Sequence, residues 1–363
     1  MLEHSKVRRA AFIFLIGSLA ILAATLLVTT DEETWWGVAS FGGVLIAALF
    51  GIVLLRMVLE GLGLLVLVNG TQEAKLSVLE SLELTLEGYF IAQLIPVSAA
   101  GVPYQGFLLT RKGVRPGWAT AVVLVKGFIP GVFFFFILVG VAVAALFGWE
   151  GSGESLTFLK IVGPIALLPT GTVMAMLVIV ATRPALFDRL VDRIAAFLSR
   201  NLRGRAAQRV DQARVLIAEE SHVFRDALTT MRRERRWVLL WGVVLVALAY
   251  VVEFTLGVVI LWGFGYHGSA VGPIVLQGVL KPIIAASPTP GSLAIGEGGY
   301  IGFFAAYLPA HFVGVSLVLW RIMLYFIPMF VGGTLVAKRI GRAQFAAAVS
   351  TSAQETRHER ESP

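Results

Sequence analysis

Two apolar stretches of this chain carry helix breakers in mid-run: Leu94-Ile95-Pro96-Val97-Ser98-Ala99-Ala100-Gly101-Val102-Pro103 and Ala286-Ser287-Pro288-Thr289-Pro290-Gly291. A helix broken in hydrocarbon exposes backbone N–H and C=O groups, which is tolerated only where protein or a water-filled cavity surrounds them. Paired breaks in corresponding halves of a membrane chain point to a substrate site near mid-membrane. Composition places these breaks in a membrane: 57% of the 363 residues are hydrophobic and 15% are charged, against about 25% charged in soluble domains. The leading expectation is therefore a transporter.

Uncharged runs at Ala10–Thr30, Trp35–Leu55, Gly127–Trp149, Ile161–Thr182 and Val238–Val252 approach or exceed the roughly 20 residues that cross hydrocarbon. Ile322–Ala337 becomes long enough when extended back across Arg321 to Phe312. Lys6, Arg8 and Arg9 before the first run resemble a secretory leader, but its apolar core is too long for a cleaved peptide, so an uncleaved first helix is expected. The chain has no cysteine, which excludes disulfides and thiolate metal sites. The formal charge of +7 sits in a few loops beside the spans, as membrane topology rather than nucleic-acid binding dictates.

The positive-inside rule sets the expected orientation. The basic N-terminus, Arg111-Lys112-Gly113-Val114-Arg115, the Arg-rich stretch Arg183–Arg236 and Lys338-Arg339-Ile340-Gly341-Arg342 read as cytoplasmic; Asp31-Glu32-Glu33 and Trp149-Glu150-Gly151-Ser152-Gly153-Glu154 read as external. A second span ending near Asn69 then forces Glu87–Thr110 to enter and leave from the inside, and by the same parity Ala270–Leu308 dips in from the outside. Each hairpin is followed by a span with a lone cation and then a proline, Lys126 with Pro130 and Arg321 with Pro328, the pattern of an inverted repeat. The expected fold is an all-α polytopic membrane protein, with about six full spans plus two re-entrant broken-helix hairpins. Repeat A covers about 35–149 and repeat B about 237–337 of a single domain, residues 1–342. Within Arg183–Arg236, Phe187, Leu190, Val191, Ile194 and Leu198 follow a 3.6-residue period between arginines, as in a helix lying on the anionic leaflet; residues 343–363 read as a disordered tail.

Ionisable side chains at membrane depth are costly and by default mark a pathway or binding site. Lys126 and Arg321, approaching the midplane from opposite sides, suit a phosphate clamp, with Arg adapted to bidentate contact. The competing reading is an ion pair that locks helices, with Glu253, Glu60 or Glu297 as partners. Glu297 follows the Pro288-Thr289-Pro290-Gly291 break, where it binds a cationic headgroup, takes up a proton or caps a half-helix. Arg56 and Glu60 have the spacing to pair with each other. Glu253 stands alone in its run, and Lys281 before Pro282 is placed to meet Glu253 or Glu297. Gly101, Tyr104, Gln105, Tyr300 and Tyr325 are candidate lining, against a packed-core or interfacial role for the tyrosines. The glycine pairs Gly42-Gly43 and Gly332-Gly333 permit close helix packing, in a homodimer or within the chain.

Three function classes compete. The first is a translocase of charged lipid, needing no cofactor, since no nucleotide motif occurs; movement is then downhill or ion-coupled. The second is a membrane glycosyltransferase using Asp31-Glu32-Glu33 as base or metal ligand. It is weakened by the shortness of that loop and by the absence of H-E-x-x-H, P-loop and nucleophile-elbow motifs. The third is a lipid-binding scaffold acting through the basic loop.

Pro288-Thr289-Pro290-Gly291, Glu297, Trp320-Arg321, Tyr325, Pro328 and Gly332, with a weaker block of Pro96, Gly101, Lys112-Gly113-Val114, Ala119–Val123 and Lys126, together resemble the integral-membrane flippase domain of lysylphosphatidylglycerol synthases, the multiple peptide resistance factor family. Family members often carry glycine where this chain has Ser292 and Ala294. The resemblance implies a flippase fold with two inverted repeats and movement of a charged lipid across the cell membrane. Two-domain members add an aminoacyl-transferase domain after the membrane part; the chain ends some twenty residues past its last span, so lysyl-lipid synthesis is not expected. The lipid stays open among an aminoacylated phospholipid, a polyprenyl-phosphate-linked sugar and another anionic lipid.

Overall fold

A computed structural model describes residues 42–94, 101–146, 226–285 and 294–341, with Ser287, Thr289 and Ser292 between them and isolated positions elsewhere. The expected first span, Asp31-Glu32-Glu33, Trp149–Glu154, Ile161–Thr182, nearly all of the Arg-rich loop and the tail lie outside the described residues, as do Pro96, Pro288, Pro290 and Gly291.

Among the described residues the chain is helical, without strands. The helices are α1 Gly43–Asn69, α2 Val78–Leu94, α3 Gly101–Arg111, α4 Pro116–Leu146, α5 Arg236–Gly263, α6 Val271–Ala285 and α7 Ile295–Phe304. The last, α8, covers Ala310–Gly341 and contains a π-helical turn at Ile322–Phe326. The long helices α1, α4, α5 and α8 are apolar and long enough to cross a membrane. Six spans are expected from the sequence; four stand among the described residues, and the runs Ala10–Thr30 and Ile161–Thr182 are outside them. The helices also run past the ends of the uncharged segments. α1 continues through Arg56 and Glu60 to Asn69, α4 contains Lys126 and α5 contains Glu253, because each of these charges finds a partner inside the bundle.

The two halves repeat one order of long, short, short and long helix: 27, 17, 11 and 31 residues, then 28, 15, 10 and 32. The two leading helices pack antiparallel along their lengths. Gly70 lies on Val238, Gly242 on Leu67 and Gly63 on Val246, small residues that let helix backbones approach. The cross-contacts are reciprocal. Gly278, seven residues into α6, packs on Ile137, twenty-one into α4; Gly332, twenty-two into α8, packs on Leu86, eight into α2. A methyl at Gly332 would fall 2.2 Å from the Leu86 carbonyl oxygen, so Gly332-Gly333 serves packing within the chain.

Each pair of short helices folds back on itself. In α2–α3, Gly101 sits against the Gly88 carbonyl, and Lys112 just past α3 pairs with Glu80 in the first turn of α2. Arg115 binds Glu73 at 2.6 and 2.8 Å beside them. The Lys112 ammonium, with Ser77, holds the Glu80 carboxyl down to about 2. In α6–α7, Leu280 meets Gly299 and Gly272 meets Tyr307. The first mouth lies at the C-terminal end of α1, where Arg235 donates to the Gly70 carbonyl. The second lies at the far end of α5, where Phe264 stacks on Phe312 at 4.9 Å. The two hairpins therefore open at opposite ends of the bundle.

The break before α7 is built with non-glycine residues in the left-handed region: Ser292 at φ 56° and Ala294 at φ 67°. Ser292 is tied down by its hydroxyl, which donates to the Ile284 carbonyl at 2.7 Å; Ala294 has no side-chain bond to offset its strain. Ala294→Gly relieves that strain and raises stability by about 0.5–1 kcal/mol, read as a higher thermal unfolding midpoint in detergent.

Candidate functional site

Five ionisable side chains form one connected line through the middle of the bundle, alternating in sign. Lys126 Nζ of α4 lies 2.8 Å from Glu60 Oε1 of α1. Glu60 lies 3.8 Å from Arg56, one turn earlier on the same helix. Arg56 Nε lies 2.5 Å from Glu253 Oε2 of α5, and Glu253 also pairs with Lys281 of α6. Apart from Lys281, every member is buried. Arg56 stands thirteen residues and Glu60 nine residues before the end of α1, or about 20 and 13 Å along the helix, too deep for easy contact with water.

Uncharged polar groups complete the line. The Tyr89 hydroxyl of α2 accepts from Arg56 and donates to Glu60, and its ring lies 4.5 Å beneath the guanidinium. Lys126 donates to Gln105 Oε1 of α3 at 3.3 Å. Gln277 of α6 donates to the Phe254 carbonyl at 2.8 Å, next to Glu253. Gly88 and Gly257 make room for the two glutamines, each of which would lie within 3 Å of an added Cβ.

A second buried pair sits beyond Lys281. Arg321 Nη2 of α8 lies 2.7 Å from Glu297 Oε1 of α7 and donates to the Ser292 carbonyl at 3.4 Å. A Cβ on Gly296 would lie 2.4 Å from that nitrogen, so glycine there makes the seat for the guanidinium. Tyr325, in the π-helical turn, joins the two clusters: Arg321 lies 4.3 Å and Lys281 5.7 Å from its ring, both within cation–π range. Trp320 and Tyr300 extend the aromatic wall, with Tyr300 stacked on Phe304. Irregular helical turns of this kind recur at functional sites.

The structure thus gathers Lys126, Gln105, Glu253, Lys281, Glu297, Arg321 and Tyr325. Lys126 and Arg321 do not form a preformed clamp, because each is held by its own carboxylate. Tyr104 instead donates to Glu87 Oε2 at 3.0 Å, and Glu87 is bound by Arg339 at 2.8 Å. Gly101 serves the packing of α3 on α2. Thr289 shares a 2.8 Å hydrogen bond with Ser287 at the break. Arg56 and Glu60, read from sequence as a local pair, do pair with each other and also bind Glu253 and Lys126 on other helices; the sequence did not single out Tyr89, Glu87 and Gln277. A tyrosine or glutamate without a breaker nearby carries no signal of its own in a single sequence; Arg56, in an otherwise apolar helix, did.

Four apolar helices of spanning length, enclosing ionisable groups paired with one another, define a multi-pass integral membrane protein. The chain matches the lysylphosphatidylglycerol synthase TM region over residues 14–332 and belongs to that family. It is 23% identical over 340 residues to a UPF0104 membrane protein of Archaeoglobus fulgidus, covering 91% of this chain and 98% of that one. No solved structure matches it.

Replacing a buried ion pair by apolar groups is often neutral, whereas removing one partner is costly. Glu253→Ala leaves Arg56 and Lys281 without their shared carboxylate and destabilises the protein by about 3–5 kcal/mol. Arg321→Gln with Glu297→Gln costs less than the two single substitutions summed. Unfolding in detergent, followed by circular dichroism, checks both.

Proposed function

We propose that the protein moves a net-anionic, phosphate-bearing lipid between the leaflets of the cell membrane, through a polar path lined by the charge line and the Arg321–Glu297 pair. The observation that carries this reading is the imbalance of the line. Among the described residues, Lys126, Arg56 and Lys281 supply three positive charges to the line against two from Glu60 and Glu253, while Arg321 and Glu297 cancel. A surplus positive charge at membrane depth is expensive, and one phosphodiester neutralises it. A lysyl-modified lipid, itself net cationic, does not. Among the lipids open from sequence, an unmodified anionic phospholipid or a polyprenyl-phosphate-linked sugar fits better.

The architecture supports transport by two inverted repeats. Glu60 and Glu253 both stand seventeen residues past the start of their helices, and Lys126 and Arg321 stand ten and eleven past theirs. Matching helices run antiparallel, and the hairpins open at opposite ends, as expected of repeats related by an axis in the membrane plane. On this reading the end carrying Glu80, Lys112 and Arg115 faces the cytoplasm. The reading is of non-enzymatic transport, which paired charges at membrane depth suit.

Protein reconstituted in vesicles accelerates leaflet exchange of at least one fluorescent anionic lipid above the rate of empty vesicles. No gain across a broad lipid panel would sink the reading. The orientation has its own check, helped by the natural lack of cysteine. An impermeant thiol reagent labels Ser269→Cys in intact cells but labels Arg111→Cys only after lysis; labelling of both from outside overturns the hairpin topology.

A further inference from the structure

We propose that Lys281 is the point at which the anionic headgroup joins the charge line, taking the place of Glu253 on the Lys281 ammonium. This rests on the translocase reading above.

A line of alternating charges admits a new anion only at a cation that is reachable and whose present partner can be spared. Lys281 meets both conditions. Its side chain is 17% exposed, against 9% or less for Lys126, Arg56, Glu60 and Glu253. The opposite terminus is closed, since Lys126 is covered by Glu60 and Gln105. When Lys281 is released, Glu253 keeps Arg56 at 2.5 Å, so no carboxylate is left buried without a cation.

The surroundings of Lys281 suit a phosphate. Across the Tyr325 ring stands Arg321, the second cation near this end. Ser287 and Thr289 follow in the chain at the break, where their hydroxyls hydrogen-bond each other at 2.8 Å. Lys281 lies four residues from the end of α6, directly before Pro282, which deprives the Gly278 carbonyl of its helical donor. The ammonium therefore rides on the weakened last turn of a broken helix. A lysine, with a point charge on a flexible stem, exchanges one oxyanion for another without the fixed fork geometry of arginine.

The test compares leaflet exchange of fluorescent phosphatidylglycerol, net charge −1, with that of phosphatidylcholine, net charge zero, in vesicles holding the full chain. Wild type prefers phosphatidylglycerol. Lys281→Gln reduces that preference about tenfold, and Lys281→Arg keeps it within about threefold, because the charge is restored. A second measurement needs no variant: phosphatidylglycerol, but not phosphatidylcholine, protects Lys281 of the wild-type protein from an amine-acylating reagent, read by mass spectrometry. Exchange without a preference, a preference that Lys281→Gln retains, or equal protection by both lipids overturns this proposal and leaves translocation standing. No acceleration of either lipid, nor of any other in a broad panel, fails the translocase reading itself.

Discussion

The pairing of Arg56 with Glu253 is the contact on which the interior depends. It joins α1 to α5, the central helices of the two halves, and each partner has a second neighbour of opposite sign, Glu60 on one side and Lys281 on the other. Taking an ion from water into a low-dielectric interior costs several kcal/mol even after relaxation, so no single charge here could stand alone. Alternation gives the three inner members two opposite neighbours each. Such pairing also demands close backbones, which Gly63, Gly70 and Gly242 provide along the same interface. Helix packing and charge burial are thus two aspects of one constraint: a larger residue at those glycines would pry α1 from α5 and pull the ions apart.

Buried ion pairs seldom add net stability over apolar residues of similar size. Five linked ionisable groups inside a bundle that is otherwise rich in leucine, valine and phenylalanine are therefore poorly explained by stability alone. The arrangement around Tyr325 adds to this. Arg321 and Lys281 approach one aromatic ring within a turn of π-helix, just ahead of Pro328, whose missing N–H cannot serve the carbonyl four residues earlier.

What the sequence disclosed and what it withheld divide along physical lines. That the described chain is helical, with long apolar helices able to cross a membrane, follows from composition and uncharged runs, and this was legible. The extents of the long helices were not. A reading by uncharged runs stops at Leu55 because Arg56 looks like an end, yet the helix continues to Asn69, its charge answered by Glu253, which is distant in the chain. Which carboxylate serves which cation is decided by tertiary packing, so Lys126 with Glu60 and Arg321 with Glu297 could be named only as alternatives. Ser292 and Ala294 were visible only as departures from family glycines; their positive φ values give the reason glycine suits those positions.

The short arms of the hairpins set how far their helix ends reach into the bundle. The arms α3 and α7 have eleven and ten residues, about 15 Å of helix each, roughly half the thickness of the hydrocarbon core. Because they enter from opposite ends of the bundle, each carries polar helix ends to mid-depth. On the proposed translocase reading, a headgroup passing beside them would meet an apolar barrier shorter than the full hydrocarbon core.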